Sequence, residues 1–359
     1  MSYTNGLDNP ELYFQIKTYT GDGESSRAVT LDGDEDMQVN LIWIKERSST
    51  SQPQLADTVR GYDKRLQPDS SDAEDDDSSP FYDFKSLDSN GWTMGNGGAI
   101  NEDTQTYVAW CWKASGSTAS NTNGTNITST VDANTTSGFS IVSWTGDNSG
   151  SSTVGHGLGK TAEFVVIKNR ADSANWQVKH KNNSANASQS LDVNDAESSR
   201  AGSTNGGIAD LSGTTTFGFI AGSAGVPAAN GDSDAMIAYV WNSVQGYSKF
   251  GTYTGNNNAD GTFLYLGFRP AYLMVKKIDG TDNWTILDKG RSPFNPVDDQ
   301  LYADLNAAEA DANVCDFLSN GVKFRGNGGS YNGNGNDYIY MAFAEQPFVN
   351  SEGVPCNAK

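Results

Sequence analysis

The chain has 359 residues, enough for two or three domains, and a net charge of −20 at pH 7. Such a charge would repel nucleic-acid phosphates and anionic lipid headgroups, so we expect no nucleic-acid partner. No stretch approaches the roughly 20 apolar residues of a membrane span, so no membrane insertion is expected either, and the N-terminus does not resemble a secretory signal.

One sequence pattern occurs three times along the chain. It begins at Phe14 (FQIKTYTG) and returns at Phe139 (FSIVSWTG) and Tyr247 (YSKFGTYTG). Each copy is followed by an apolar run ending in lysine (Lys45, Lys168 and Lys276) and then by a second apolar run (YVAWCW, MIAYVW and YIYMAF). A repeat of roughly 110 residues has the size of a domain, so the pattern predicts a tandem of small modules.

The repeated runs are short and lie between turn residues, which favours an all-β fold. Leu41, Ile42, Trp43 and Ile44 would point alternately to opposite faces of a strand, so both faces must be covered. A second sheet would cover one face, and a neighbouring module or chain the other. The sequence therefore predicts three tandem antiparallel β-sandwich modules, for which a jelly roll is a suitable form.

In chain order, we place the first module at residues 1–113, where 21 Asp and Glu stand against 9 Lys and Arg. It contains an acidic, Ser-rich segment, residues 67–80, which we expect to remain a solvated loop. Residues 114–137 are mostly Ser, Thr, Asn and Gly, and they predict a linker or an extended arm lying on a neighbour.

The second module is predicted at residues 138–246 and the third at residues 247–348. No linker separates them, so we expect these two modules to pack rigidly together. The nearest candidate for a helix is residues 301–317, with one or two short turns at most. Residues 349–359 resemble a surface strap.

Cysteine usage argues against a disulfide framework. The chain has three cysteines, Cys111, Cys315 and Cys356. Cys111 stands where the other repeats have Val240 and Ala342, which predicts a small core residue. An odd and small number of cysteines fits synthesis in a reducing cytoplasm.

The two histidines, His156 and His180, are 24 residues apart without neighbouring cysteines, so no usual zinc spacing exists. His156 lies among glycines in VGHGLG and is interpreted as a turn residue, because the segment lacks a full phosphate-loop pattern.

Acidic residues give the only hint of a metal. Asp32, Asp34 and Asp36 have the spacing that opens a calcium loop, but Met37 and Trp43 occupy the places of its Gly and Glu. Whether this loop binds calcium stays open. The run of Asp75, Asp76 and Asp77 is either solvated or a loose cation site.

The aromatic residues are numerous and mostly recur at matched positions, which predicts packing. Trp176 and Trp284 form one such matched pair, for which sugar stacking is the alternative to packing. With no nucleophile motif either, the sequence predicts no catalytic residue, no metal site and no cofactor, and it leaves the binding residues undetermined.

The motifs together resemble one family. The segments VGHGLG and FVVIKNR, YVAWCWKA, YSKFGTYTGN, YIYMAFAE and the closing FVNSEGVPCNAK resemble virion proteins of marine tailed bacteriophages, of the cyanophage and pelagiphage type, that carry a repeated domain of unknown function. The resemblance covers the chain from about residue 12 onward. It implies a structural or tail-fibre protein with concanavalin-like sandwich modules and no catalytic residues.

From this we expect a non-enzymatic virion surface protein, made in the host cytoplasm, most simply a tail fibre or spike component that contacts the host envelope. Its expected partners are other virion proteins, copies of itself in a trimer, and host surface glycan. A head decoration protein is the alternative, and a capsule-polysaccharide depolymerase is a weaker one.

Overall fold

The computed structural model describes Thr4, residues 6–76 and residues 83–356. Within these residues the protein is built from antiparallel strands, and its helices are short: a 3-10 turn at Pro10–Leu12, and α1 Gly98–Asn101, α2 Pro227–Asn230 and α3 Gly329–Asn332. None of the helices in this described part of the chain has the length and apolar character that crossing a membrane requires.

We call residues 14–112 repeat one. Its large sheet has the order β1-β9-β3-β4-β5-β6, and a small sheet has the order β2-β8-β7. The strands are β1 Phe14–Thr20, β2 Arg27–Thr30, β3 Leu41–Glu46, β4 Gln54–Asp57, β5 Gly61–Leu66, β6 Asp75–Asp76, β7 Phe84–Asp88, β8 Gly91–Met94 and β9 Thr106–Trp112.

Repeat two (residues 119–241) has a large sheet of order β10-β11-β12-β20-β14-β15-β16-β17 and a small sheet of order β13-β19-β18. The segment predicted as a linker or arm contains its first two strands, and β11 pairs with β12. The strands are β10 Ala119–Asn121, β11 Ser129–Asn134, β12 Phe139–Thr145, β13 Thr153–Gly155, β14 Phe164–Asn169, β15 Gln177–His180, β16 Ala187–Ser190, β17 Ser198–Ser199, β18 Gly207–Ile208, β19 Thr216–Ile220 and β20 Ala235–Trp241.

Repeat three (residues 248–347) has one continuous sheet of order β21-β28-β23-β24-β25-β26-β27-β22. The strands are β21 Ser248–Thr254, β22 Phe263–Tyr265, β23 Phe268–Lys277, β24 Thr285–Asp288, β25 Val297–Tyr302, β26 Ala310–Leu318, β27 Gly321–Phe324 and β28 Asp337–Pro347.

The helical turns predicted at residues 301–317 are wrong. This segment contains the end of β25 and most of β26. β26 pairs with both β25 and β27, and its Val314, Cys315 and Phe317 are buried. Strand pairing and burial therefore override the helix preference of the alanine and acidic residues.

The same strand order recurs in the three large sheets. In each repeat the last strand lies between the strand that begins the repeated sequence pattern and the strand that contains the repeated lysine: β9 between β1 and β3, β20 between β12 and β14, and β28 between β21 and β23. The repeated sequence pattern therefore corresponds to a repeated topology.

The alternation predicted for β3 is confirmed. Ile42 and Ile44 pack in a cluster with Trp92 and Met94 of the small sheet of repeat one. Leu41 and Trp43 face the opposite way and belong to a second, larger cluster. Both faces of the strand are covered, as the run of four apolar residues requires.

The larger cluster is shared by all three repeats, and we call it the shared core. It includes Trp110 and Trp112 of repeat one, Tyr239 and Trp241 of repeat two, and Tyr272, Met341 and Phe343 of repeat three. Rings meet directly across repeats, for example Trp112 and Trp241 with centroids 6.3 Å apart. The covering element predicted as a neighbouring module or chain is therefore supplied within this chain.

Candidate functional site

Polar side chains connect the repeats at their junctions. At the junction of repeats two and one, Arg60 Nε donates to Asp57 Oδ2 at 2.5 Å within repeat one. Tyr239 Oη of repeat two donates to the same oxygen at 2.7 Å. Glu74 forms salt bridges with Arg60 at 2.9 Å and with Arg170 of repeat two at 2.6 Å. Burial opposes the charge of Arg60, but Asp57, Tyr239 and Glu74 together raise its pKa, so the guanidinium stays charged.

The junction between repeats one and three has the same construction. Arg291 Nε donates to Asp288 Oδ2 at 2.6 Å, and Trp110 Nε1 of repeat one donates to that oxygen at 3.0 Å. Glu309 forms salt bridges with Arg291 at 3.0 Å and with Arg47 of repeat one at 2.7 Å. Each arginine is thus held by two acids, one of them fully buried.

The third junction, between repeats three and two, has the same backbone hydrogen bond as the other two but lacks their arginine–acid pairs. Glu197 N donates to Ile278 O at 3.0 Å, as Glu74 N does to Arg170 O at 2.9 Å and Glu309 N to Arg47 O at 2.8 Å. Here His180 and Asn183 stand where repeat one has Asp57 and Arg60. Burial lowers the pKa of His180 to about 3, so its imidazole is neutral.

These contacts form a closed cycle, because repeat two contacts repeat one, repeat one contacts repeat three, and repeat three contacts repeat two. A cycle of this kind has no free end at which a further repeat would add. The three junctions therefore hold the repeats around the shared core.

The three strand-ending lysines lie in the same region. Lys168 Nζ donates to Ser71 O of repeat one at 3.0 Å, and Lys276 Nζ donates to Asn194 O of repeat two at 3.2 Å. Lys45 Nζ donates to Glu46 O at 2.6 Å. Burial lowers the pKa of each lysine to about 8.

Each lysine has an acidic partner in the junctions. Burial raises the pKa of Asp69 to about 7 and those of Asp192 and Asp304 to about 6, while the nearby lysines lower them. Asp192 and Asp304 also accept hydrogen bonds from the backbone amides of Trp176 at 3.0 Å and Trp284 at 2.9 Å. We call these six residues the lysine–aspartate cluster; it can exchange protons between about pH 6 and 8.

The acidic segment at residues 67–80 was predicted to be a solvated loop, and this is wrong for residues 67–69 and for Glu74, whereas Asp72 is exposed. Gln67 and Pro68 are buried, Glu74 joins the junction with repeat two, and Asp69 belongs to the lysine–aspartate cluster. The partners that make this burial possible come from repeat two, so the segment's composition alone does not reveal them. Residues 77–80 lie outside the described residues.

Trp176 and Trp284 are fully enclosed, with 0% and 1% of their surfaces exposed. Trp176 Nε1 donates to Gln67 O of repeat one, and Trp284 Nε1 donates to Ser190 O of repeat two, both at 2.9 Å. Packing is therefore their role, and the sugar-stacking alternative is wrong, because a sugar cannot reach a buried ring.

The remaining candidates do not converge on a site. Asp32 pairs with Lys17 at 2.8 Å, and Asp36 Oδ1 accepts from Asn90 Nδ2 at 2.5 Å. Asp75 pairs with Arg65 at 3.0 Å, whereas Asp77 lies outside the described residues. Across residues 6–76 and 83–356, no group of three or more His, Cys, Asp or Glu is arranged to hold a metal ion.

Both histidines are buried side chains that accept hydrogen bonds from the backbone. His156 Nδ1 accepts from the amide of Leu158 at 3.3 Å, and His180 Nδ1 accepts from Asn182 at 3.0 Å. His156 follows β13 directly, and burial lowers its pKa to about 4. The three cysteines are free, with Cys111 and Cys315 buried.

An open groove lies where repeats two and three meet the C-terminal strap. Its volume is about 480 Å³, and its walls include Glu163, Lys181, Lys249, Tyr265 and Phe348. We call it the lysine groove. It has two lysines against one acid, in a chain of net charge −20.

A smaller groove of about 140 Å³ lies between repeats one and three, and we call it the acidic groove. It contains Glu11, Asp32 and Glu345 with Lys289. Each carboxylate is already held: Asp32 by Lys17 at 2.8 Å, Glu345 by Arg269 at 2.6 Å, and Glu11 by the amide of Asp34 at 2.9 Å.

Sequence reasoning missed the lysine groove. One signal was present: Lys249 stands where the matched strands of repeats one and two have Gln15 and Ser140. The other walls come from separate repeats and the strap, which only the fold brings together.

Comparison with known proteins gives one match. A family model described as a domain of unknown function, DUF7483, matches residues 9–347. No curated protein and no solved structure matches the chain. Because the matched residues make up nearly the whole sequence, the protein belongs to the DUF7483 family.

Proposed function

We propose that this protein is a non-enzymatic surface protein of a bacteriophage particle, a tail fibre or spike component that contacts the host envelope. We further propose that its repeats are three β-sandwich modules of the jelly-roll or concanavalin-like kind. The resemblance of its motifs to virion proteins of marine tailed phages supports the first part. The recurring strand order, with a buried cluster on each side of β3, supports the second.

The observation that carries the proposal is the closed cycle of junctions around the shared core. One chain joins its three repeats through a buried aromatic core and matched polar contacts. A block of this kind suits a rigid building unit whose outer loops are free for recognition. The predicted homotrimer would then use the outer surfaces of the block.

The charged groups also favour binding over catalysis. The arginines and acids of two junctions are paired inside the protein, and the carboxylates of the acidic groove are each held by a cation or an amide. A glycosidase instead needs two carboxyl groups free to face one sugar bond. A depolymerase would release reducing sugar from host envelope polysaccharide, whereas we expect none from the purified protein.

Counting copies of the chain in purified particles tests the proposal. Quantitative mass spectrometry against a labelled peptide standard should find a few to a few dozen copies per particle for a tail component. Hundreds of copies would replace the fibre with the head decoration alternative. Absence from the particle would overturn the proposed function.

A further inference from the structure

We propose that the lysine groove binds an anionic oligosaccharide, with a sugar ring on Tyr265 and its carboxylate or sulfate group near Lys181 and Lys249. The proposal rests on the proposed function, which supplies an envelope surface as the source of such a sugar. It deepens that function by assigning the contact site and the class of ligand.

The first argument is the exposed aromatic surface. Tyr265 has 56% of its surface exposed and Phe348 has 37%, whereas most aromatic residues of this chain are buried. An aromatic ring with an open face offers an apolar platform to the C–H groups of a sugar, and its hydroxyl adds a polar contact.

The backbone beside Tyr265 is also held in place before any ligand arrives. The amides of the next two residues, Leu266 and Gly267, both donate to Asn320 O, at 2.9 and 3.0 Å. Leu266 is buried, and Phe348, the residue before the strap, is attached at the same point, because its amide donates to Gly267 O at 3.2 Å. A backbone that is already ordered loses less conformational freedom on binding.

The second argument is local charge. Lys249 Nζ lies 5.2 Å from the centroid of the Tyr265 ring and donates to Tyr265 O at 2.7 Å. Burial and then the charge of Lys181 lower the pKa of Lys249. Two cations close enough to affect each other would be stabilised by an anion between them.

The third argument is the hydrogen-bonding capacity of Lys181 and Glu163, which also line the groove. Lys181 Nζ pairs with Glu163 Oε2 at 3.0 Å, with 35% and 24% of the two side chains exposed. The pair presents donors and an acceptor side by side. Neighbouring sugar hydroxyls, which both donate and accept, can use the two together.

The acidic groove provides an internal comparison. Lys289 occupies the position in repeat three that Lys181 has in repeat two. Each amide donates at 2.8 Å to the residue before a matched strand position, Ala271 before Tyr272 and Glu163 before Phe164. There, however, three acids surround one lysine. An anionic ligand should therefore prefer the lysine groove.

Isothermal titration calorimetry of the full chain with three hexasaccharides tests the inference: a carboxylated alginate oligomer, a sulfated carrageenan oligomer and neutral maltohexaose. We expect at least one anionic oligomer to bind about tenfold or more tightly than the neutral one, with affinity falling as salt rises. The preferred anion distinguishes a carboxylate from a sulfate ligand.

Tyr265→Ala and Lys249→Gln should each weaken binding about tenfold, whereas the matched control Lys289→Gln should not. No binding of either anionic oligomer, equal binding of the neutral one, or an unchanged affinity in both groove variants would overturn the inference. The copy count per particle is a separate measurement, so a chain present in particles but unable to bind these sugars refutes only the groove.

Discussion

The junction of repeats two and one differs from the junction of repeats three and two in its ions and not in its backbone. The first has Asp57, Arg60 and Arg170 in a chain of charges joined by Glu74, whereas the second has His180, Asn183 and Ile278 at the corresponding places. Both keep the amide-to-carbonyl bond that joins the repeats.

The comparison teaches which interactions hold the cycle together. Since one junction forms without the charged chain, that chain is not required for two repeats to join. A buried ion pair often contributes little net stability because its desolvation offsets its attraction, but breaking it leaves a buried charge alone. The two kinds of junction should therefore respond differently to substitution.

The largest effect should follow Arg60→Ala. The change leaves Asp57 buried without its partner, so we expect the free energy of unfolding to fall by about 3–5 kcal/mol. Denaturant titration followed by tryptophan fluorescence measures it. The double variant Asp57→His with Arg60→Asn copies repeat two and should lose much less, and equal losses would show that charge pairing is not the cause.

The next effect concerns the hydrogen bond that Tyr239 donates across the same junction. Tyr239→Phe should lower the free energy of unfolding by about 1.5–3 kcal/mol, because the hydroxyl donates to a buried carboxylate. Tyr272→Phe is the control, since its buried hydroxyl has no hydrogen-bond partner. A larger loss in the control than in Tyr239→Phe would contradict this account.

The lysine–aspartate cluster predicts an unusual dependence on pH. Burial raises the pKa of Asp69 to about 7, so its folded form holds a proton more tightly than the unfolded chain. Its contribution to stability is therefore present at low pH and is lost as pH rises from about 4 to 7. Asp69→Asn should gain at least about 1 kcal/mol relative to the unsubstituted protein across that range, since each pKa unit corresponds to about 1.36 kcal/mol.

Unfolding measurements at several pH values check this prediction. The control is Asp210→Asn: the hydrogen bond from Lys179 lowers the pKa of Asp210, so its contribution is lost as pH falls. The two variants should change in opposite directions with pH. Parallel changes would contradict the buried, proton-binding state of Asp69.

The smallest effect should come from adding the missing cation to the third junction. Ile278→Arg places a guanidinium where Arg170 and Arg47 lie, within reach of Glu197, and should stabilise by about 0–1 kcal/mol because the pair is partly solvated. Arg170→Ile is the reverse change at the matched position and should lose a similar amount. A clear loss of stability in Ile278→Arg would mean that this junction is built for the apolar side chain.

Several features of the fold were predictable. The recurrence of FQIKTYTG, FSIVSWTG and YSKFGTYTG predicted repeated units, and the unbroken run from Leu41 to Ile44 predicted a strand covered on both faces. These predictions rest on local periodicity, which side-chain alternation along a strand makes readable. Residues 301–317 were read wrongly because the partners that make them strands lie elsewhere in the chain.

The sites were far less predictable. The strand-ending lysines were visible as a repeat, but the acids opposite them, such as Asp192, are distant in sequence. The lysine groove is formed by residues of two repeats and the strap, which lie far apart in the sequence.

By itself, then, the sequence determined the number of repeats, their β character and the apolar faces of their strands, because these depend on spacing along the chain. Only the tertiary structure decided which repeat covers which, why Asp69 is half-buried and Trp176 fully buried, and where the lysine groove remains open. Those outcomes depend on which distant side chains meet, and desolvation and pairing energies act only once they do.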